Sequence, residues 1–292
     1  IGWTFISGAE TAWIADEIEN NELDTVLLKG AKFASVGSFL GIIVSVIIAM
    51  VFSVQIAILI AGGLLVFIAL ISIKLVREKK FKSIAREQAS SIGQMAWAFK
   101  GGLSQIKGNS ILIGLAIITI LVGLASEGFD RLWGAHFIEG FQLSEADAIY
   151  WFGAFYAITF LINIGLLKVV ETYVKEHFAT VLCLFNSLLV IFMMIFAVSN
   201  VFLLAAILYW VIASLRAVNS PLMSIMTNKQ LQSQGRATTL SIYGQLDAFG
   251  QVAGGPLVGV IALYTSIQGG LMASAILIIP TLYFLWRMRN IA

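Results

Sequence analysis

The feature that most restricts this chain is a series of apolar runs, each about as long as a lipid bilayer is thick. Residues 56–75 carry no charge before Lys74, and residues 178–198 carry none at all. A helix needs about 20 such residues to cross a hydrocarbon core of roughly 30 Å. The runs are continuous instead of alternating, which argues against barrel strands. Lipid also requires every backbone amide to be paired, and a helix does this within its own segment. Nine spans are expected, at 1–15, 33–54, 56–75, 109–128, 149–168, 178–198, 200–220, 238–263 and 267–286. The expected fold is all-α, a polytopic transmembrane helix bundle.

Composition agrees. Of 292 residues, 59% are hydrophobic and 12% charged, with a mean hydropathy of +0.94. Soluble domains carry about 25% charged residues, so this chain lacks the polar surface to cover a water-soluble globule. Its net charge of +2 gives no footing for a nucleic-acid partner. The single cysteine, Cys183, excludes an internal disulfide and a cysteine-built metal site. His136 and His177 read as loop residues far apart in topology, so no metal and no cofactor are expected. The chain opens on Ile1 inside an apolar stretch, and an N-terminal part is expected to be missing.

Short links such as Gln55, Ser199-Asn200 and Tyr264-Thr265-Ser266 make antiparallel hairpins. The long connection from Val76 to Gly108 opens with Arg77, Lys79, Lys80, Lys82 and Arg86. Ile92, Met95, Phe99, Leu103 and Ile106 follow at helical spacing, the stripe of an amphipathic helix on a membrane surface or packed on the bundle. With these spans, seventeen of the 18 Lys and Arg fall on one side and Arg131 alone on the other. The positive-inside rule makes the rich side cytoplasmic, together with the C-terminus. Asn21, Lys29 and Gly37 recur as Asn228, Arg236 and Gly244 at a constant offset, a faint parallel repeat of the sort that relates transporter halves. The implied organisation is three helices of an N-terminal half at 1–75, a central cytoplasmic loop at 76–108 and a six-helix C-terminal half at 109–292.

Three segments add a resemblance. Ser7-Gly8-Ala9-Glu10-Thr11-Ala12-Trp13-Ile14-Ala15-Asp16 looks like helix four of the major facilitator superfamily. Ala125-Ser126-Glu127-Gly128-Phe129-Asp130-Arg131-Leu132-Trp133 resembles the outer end of helix seven. Arg236-Ala237-Thr238, with Gln245-Leu246-Asp247 and the run to Gly254-Gly255-Pro256, resembles helix eleven. The branch most similar is drug efflux, the tetracycline- and macrolide-resistance antiporters. The chain departs from it where Gly30, Gly37 and Gly41 stand without the proline of antiporter helix five. The resemblance implies about nine of twelve spans, a small-molecule substrate, protons as the coupling ion, an inner-membrane location and a monomer.

Ionisable groups inside a bilayer are expensive, about 2.5–3.5 kcal/mol at a helix centre on insertion scales, so the few present are the best site candidates. Asp247 lies eleven residues past Arg236, about 16 Å along a helix, near mid-core. Gly244 and Gln251 share its face, and Gln245 adjoins. Asp247 reads either as a proton- or substrate-responsive carboxylate or as a structural hydrogen-bonding group. Glu10 reads as a cavity carboxylate or a structural pair near the cytoplasmic gate. Glu127, Asp130 and Arg131 cluster at the expected outer end of one span, with Glu127 and Arg131 four apart, and read as a local ion pair, which that spacing allows, or as an outer gate that breaks and reforms. Arg216, at the expected cytoplasmic end of another and followed by Asn219, reads as a binder of an anionic group, a latch or a snorkelling side chain. Gly250, Gly254, Gly255 and Pro256 read as a close helix contact or a flexing point. Tyr150, Trp151, Tyr156, Tyr209 and Trp210 could stack on a planar substrate, form an aromatic belt or simply pack. No phosphate loop, zinc-binding His pair or nucleophile elbow appears, so no enzymatic activity is expected.

Overall fold

A computed structural model of the chain describes residues 10–15, 17–18, 22–75, 91–232 and 235–289. Among them every regular element is a helix. The helices are α1 (Leu23–Val51), α2 (Val54–Leu75), α3 (Ser91–Lys107), α4 (Ser110–Gly140), α5 (Glu145–Tyr173), α6 (Phe178–Val198), α7 (Phe202–Gln230), α8 (Arg236–Tyr264) and α9 (Ile267–Arg289). Eight of these, all but α3, are long and apolar enough to cross a membrane. The span expected at 1–15 falls mostly outside the described residues; 10–15 are helical.

Four spans outrun their expected limits: α1 begins at Leu23, ten residues before its expected start, and three others run on at their far ends. α4 continues to Gly140, α5 to Tyr173 and α7 to Gln230. Each continues where polar residues made the apolar run look finished. On α7 the Thr227 hydroxyl and the Asn228 amide donate back to the carbonyls of Met223 and Ser224, so their polar groups are satisfied without leaving the helix. On α4 Glu127, Asp130 and Arg131 are held in ion pairs. The starts are set by caps. Asn109 accepts from the amides of Ile111 and Leu112, and Ser144 accepts from the amide of Asp147. All three prolines, Pro221, Pro256 and Pro280, lie inside spans.

α4 to α9 form one bundle in which α4 packs on α8 and α9, α6 on α7 and α9, and α5 on α7. Two apolar clusters fill it. One runs from Leu112 and Leu115 to Leu222, Ile225 and Leu285. The other is aromatic, around Phe129, Trp133, Phe137, Phe155, Phe196 and Tyr209. His136 belongs to this second region. It lies within α4 and is buried beside Phe137, Phe141 and Phe196, not in a loop.

α1 lies against α5 and touches α7, and α2 packs on α1. Ion pairs tie the end of this contact. Lys32 reaches Glu171 at 3.2 Å, Lys29 stands at 4.0 Å from the same carboxylate, and Lys229 meets Asp24 at 2.6 Å. α3 packs on α8 and α4 through Gly102 and Ile106, while Trp97 and Phe99 stay exposed. The expected amphipathic stripe is thus divided between the bundle and the outside. The basic stretch at 77–86 lies outside the described residues.

Candidate functional site

A cavity of about 580 Å³ opens in the six-helix bundle. That lies within the roughly 300–1,000 Å³ of small-molecule sites. Every helix of the bundle contributes to its wall, which includes Glu127 and Asp130 of α4, Asn163 of α5, Asn186 of α6, Arg216 and Asn219 of α7, Asp247 and Gln251 of α8 and Ile278 of α9.

Arg216 is the first correction to the sequence reading. With α7 running from Phe202 to Gln230, it sits at the middle of the helix and not near an end. It does not snorkel. Its two terminal nitrogens donate to the two oxygens of Asp130 at 2.6 and 2.7 Å, a fork-to-fork pair. Its guanidinium also lies 5.2 Å from the centre of the Phe129 ring. A cation at mid-span lies beyond the reach of the headgroups, and its partners here are a carboxylate and a ring on the cavity wall.

One turn away, Arg131 closes on Glu127 at 2.7 Å, the same-helix pair expected from the spacing. Neither pair stands at a helix terminus, since α4 continues for nine residues beyond Arg131.

Asp247 faces the cavity from near the middle of α8. Gln251, one turn on, donates its amide to Oδ2 at 2.8 Å. A Cβ on Gly123 of α4 would meet the Asp247 carbonyl oxygen at 2.6 Å and Oδ1 at 3.1 Å, so the missing side chain lets α8 lie flush on α4. Gly250 and Gly254 continue that seam against the α4 backbone at Ile120 and Leu124. Gly255 faces Glu127, and Pro256 is exposed on the continuous helix.

Two candidates are not gathered in. Glu10 and Gln245 are exposed and do not line the cavity. Of the aromatics, Tyr156 and Tyr209 line it, whereas Tyr150 is exposed and Trp151 stacks on Phe155 and Phe202.

Sequence reasoning missed Asn163 and Asn186, and the bond that joins Asn186 to Asn219. Asn186 and Asn219 bond to each other across α6 and α7, and both are buried. Asn163 is buried with no partner for its carbonyl oxygen. The available signal was an asparagine in the middle of an apolar run, where a polar group needs a partner or a wet wall. A groove between α1 and α5, bordered by Ser38, Gly41 and Ser45, shares Tyr156 and Phe160 with the cavity. The site is therefore carried mainly by the six-helix bundle, with α1 along its open side. Among the described residues no three His, Cys, Asp or Glu side chains gather as metal ligands do.

No family model matches the sequence, and no curated protein does. Solved structures match the fold. The human organic anion transporter MFSD10 (TETRAN) superposes with a TM-score of 0.72 at 16% identity, over 96% of this chain and 67% of that one. The E. coli fucose:proton symporter FucP gives 0.73 at 12% identity, over 97% of this chain and 73% of that one. The architecture is a helix bundle of major-facilitator type.

Proposed function

We propose that this chain is the greater part of a proton-coupled secondary transporter that moves a small amphipathic compound outward by alternating access. The observation that carries the reading is Asp247. It is a carboxylate on a cavity wall near mid-span, held by a neutral amide and by no cation. Carboxylates in that setting are the usual stations of proton relays. Solved neighbours that are transporters support the class. No catalytic step belongs to this reading.

In this reading the substrate enters the cavity beside α1, and the two sets of helices rock about it. The ion pairs Asp130–Arg216 and Glu127–Arg131 serve as gates that rearrange during the cycle, and the glycine seam around Gly250 and Gly254, with Gly255 and Pro256, lets α8 shift on α4. The protein acts as a monomer in the inner (plasma) membrane, in contact with lipid and with its C-terminus cytoplasmic. The drug-efflux branch is favoured by the resemblance of the helix-eleven segment that contains Asp247.

Flux through the full-length protein in proteoliposomes under an imposed pH gradient tests this. Asp247→Asn is expected to abolish proton-driven flux while expression and folding persist. Undiminished flux in that variant removes Asp247 from the mechanism. An uptake symporter is the second reading, favoured by the neutral hydrogen-bonding wall of Asn163, Asn186, Asn219 and Gln251. Accumulation with the proton gradient, instead of extrusion against it, would establish it.

A further inference from the structure

A second pocket, of about 290 Å³, lies at the end of the bundle where α6 begins and α7 and α9 finish. It shares no wall residue with the central cavity. Its size is near the lower limit for small-molecule sites. Its ionisable wall is Lys175, Glu176, His177, Lys229 and Arg289. Asp24 of α1 already takes the Lys229 ammonium, at 2.6 Å. Among the described residues Lys175, Glu176 and Arg289 make no ion pair. Counting His177 as neutral, these three leave the pocket one net positive charge.

The backbone adds to that charge. The cap of α6 is His177, at φ 60°, and its side chain caps no amide. Thr180 and Val181 donate their amides to the His177 carbonyl, whereas the leading amides of Phe178 and Ala179 have no partner among the described residues. Free amides at a helix start favour an anion. Gln230 of α7 accepts from Asn109 through its carbonyl oxygen, which leaves its amide as a further donor on the wall.

A crevice of about 240 Å³ adjoins this pocket between α4 and α9. Ile111 and Met288 belong to both walls, so the two spaces meet there. The crevice is apolar apart from Ser110 and Arg287, and Ile113 on its rim is exposed on the outside of the bundle. A small inorganic anion would use the first space and have no use for the second. An anionic head joined to a hydrocarbon chain uses both.

We infer that the paired spaces seat one anionic glycerophospholipid of the surrounding bilayer. Its phosphodiester lies against Lys175, Arg289 and the leading amides of α6, and one acyl chain lies in the crevice between α4 and α9. A lipid with one net negative charge balances the one net positive charge of the pocket. A zwitterionic lipid brings its own cation and leaves the pocket charged. So seated, the lipid ties the end of α9 to the starts of α4 and α6. The inference stands apart from the transport reading, since it uses neither Asp247 nor the central cavity.

Native mass spectrometry of the purified full-length protein tests it, with dioleoyl phosphatidylglycerol and dioleoyl phosphatidylcholine as probes of equal chain length. One phosphatidylglycerol is expected to bind about tenfold or more tighter than phosphatidylcholine. Lys175→Gln combined with Arg289→Gln should bring the two lipids within about threefold of each other. Lys107→Gln combined with Lys168→Gln removes two exposed charges outside the pocket and should leave the preference unchanged. Ile113→Trp, which fills the crevice, should weaken phosphatidylglycerol binding. Glycerol phosphate, a head without a chain, should displace the lipid only above about a hundredfold excess. Equal binding of the two lipids overturns the inference. A loss in the Lys107/Lys168 variant as large as in the pocket variant also overturns it, by assigning the preference to diffuse surface charge. Displacement by equimolar glycerol phosphate would make the occupant a free phosphate, and the lipid assignment would fall. Should the pocket double variant fail to fold, Lys175→Gln alone decides: an unchanged preference there overturns the inference.

Discussion

α2 and α7 show how differently lipid and protein act on one chain. Among the described spans α2 has the highest mean hydropathy, 2.9, yet none of its most apolar stretch is buried. α7 has a mean hydropathy of 1.8, and half of its most apolar stretch is buried. In water the order would be reversed. In a bilayer apolar surface already has a suitable solvent, so helix contacts are made by small and polar side chains that pack closely and bond across the interface. Leu65, Phe67 and Leu70 of α2 stay exposed, while Ala205, Ala206 and Asn219 of α7 are buried.

The comparison can be broken with aromatic truncations, which carry the largest expected effect. Phe137 of α4 is fully buried, its ring 4.5 Å from that of Phe155. Phe137→Ala should cost about 3–5 kcal/mol, the range for a core aromatic. Phe67→Ala on α2 should stay within about 0.5 kcal/mol, because that ring faces outward. Unfolding of the reconstituted protein, followed by steric trapping, measures both. Equal losses would mean that α2 is covered by protein, and the contrast between the two regions would fail.

A glycine pair sharpens the same contrast at the backbone. A side chain on Gly254 would collide with the carbonyl of Leu124, whereas Gly62 of α2 has open space around it. Gly254→Val should destabilise by about 1–3 kcal/mol through overpacking and slow any movement of α8 along α4. Gly62→Val should be close to neutral for packing. Thermal melts of the two variants in one detergent compare them directly. A tolerant Gly254 would remove the close contact as a constraint on the bundle.

How much of this was legible in the residues follows from the same physics. Span existence was, because hydropathy is what a bilayer reads; α2, α6, α8 and α9 were found within a few residues of their ends, whereas α1 begins ten residues before its expected start. The extension of α4 was not, because Asp130 is tolerable in a span with its partner Arg216, which stands 86 positions away. The extension of α7 was not either, because the polar residues beyond 220 read as a loop, whereas Thr227 and Asn228 bond back within the helix. Asp247 and Gln251 were legible together, since one turn of helix relates them. Asn186 and Asn219 were not, since their bond crosses between helices. Glu10 resembled Asp247 in residue type and Gln245 lies two residues from it, but both are exposed and outside the cavity wall.

The smallest effect expected lies at the ion pairs joining α1 to the six-helix bundle, where the two regions meet. Lys32 and Glu171 stand 3.2 Å apart, and Lys229 and Asp24 stand 2.6 Å apart with the Lys229 ammonium also 4.3 Å from the Phe178 ring. The lysines are partly exposed, so each pair is worth about 0.2–1 kcal/mol. If they hold this end of the groove closed, Lys32→Glu should open it modestly, and a cysteine placed at Ser38 should react up to about fivefold faster with a bulky maleimide. Adding Glu171→Lys restores the pair with its polarity exchanged, and the rate should return toward that of the parent. This rescue separates a latch from a change in local charge, because repulsion from the membrane surface depends on each substitution singly and not on their pairing. A double variant as reactive as the single one would assign the pair to surface electrostatics. The hold between α1 and the bundle would then rest on the buried contacts of Leu28, and α1 would belong with α5 instead of with α2.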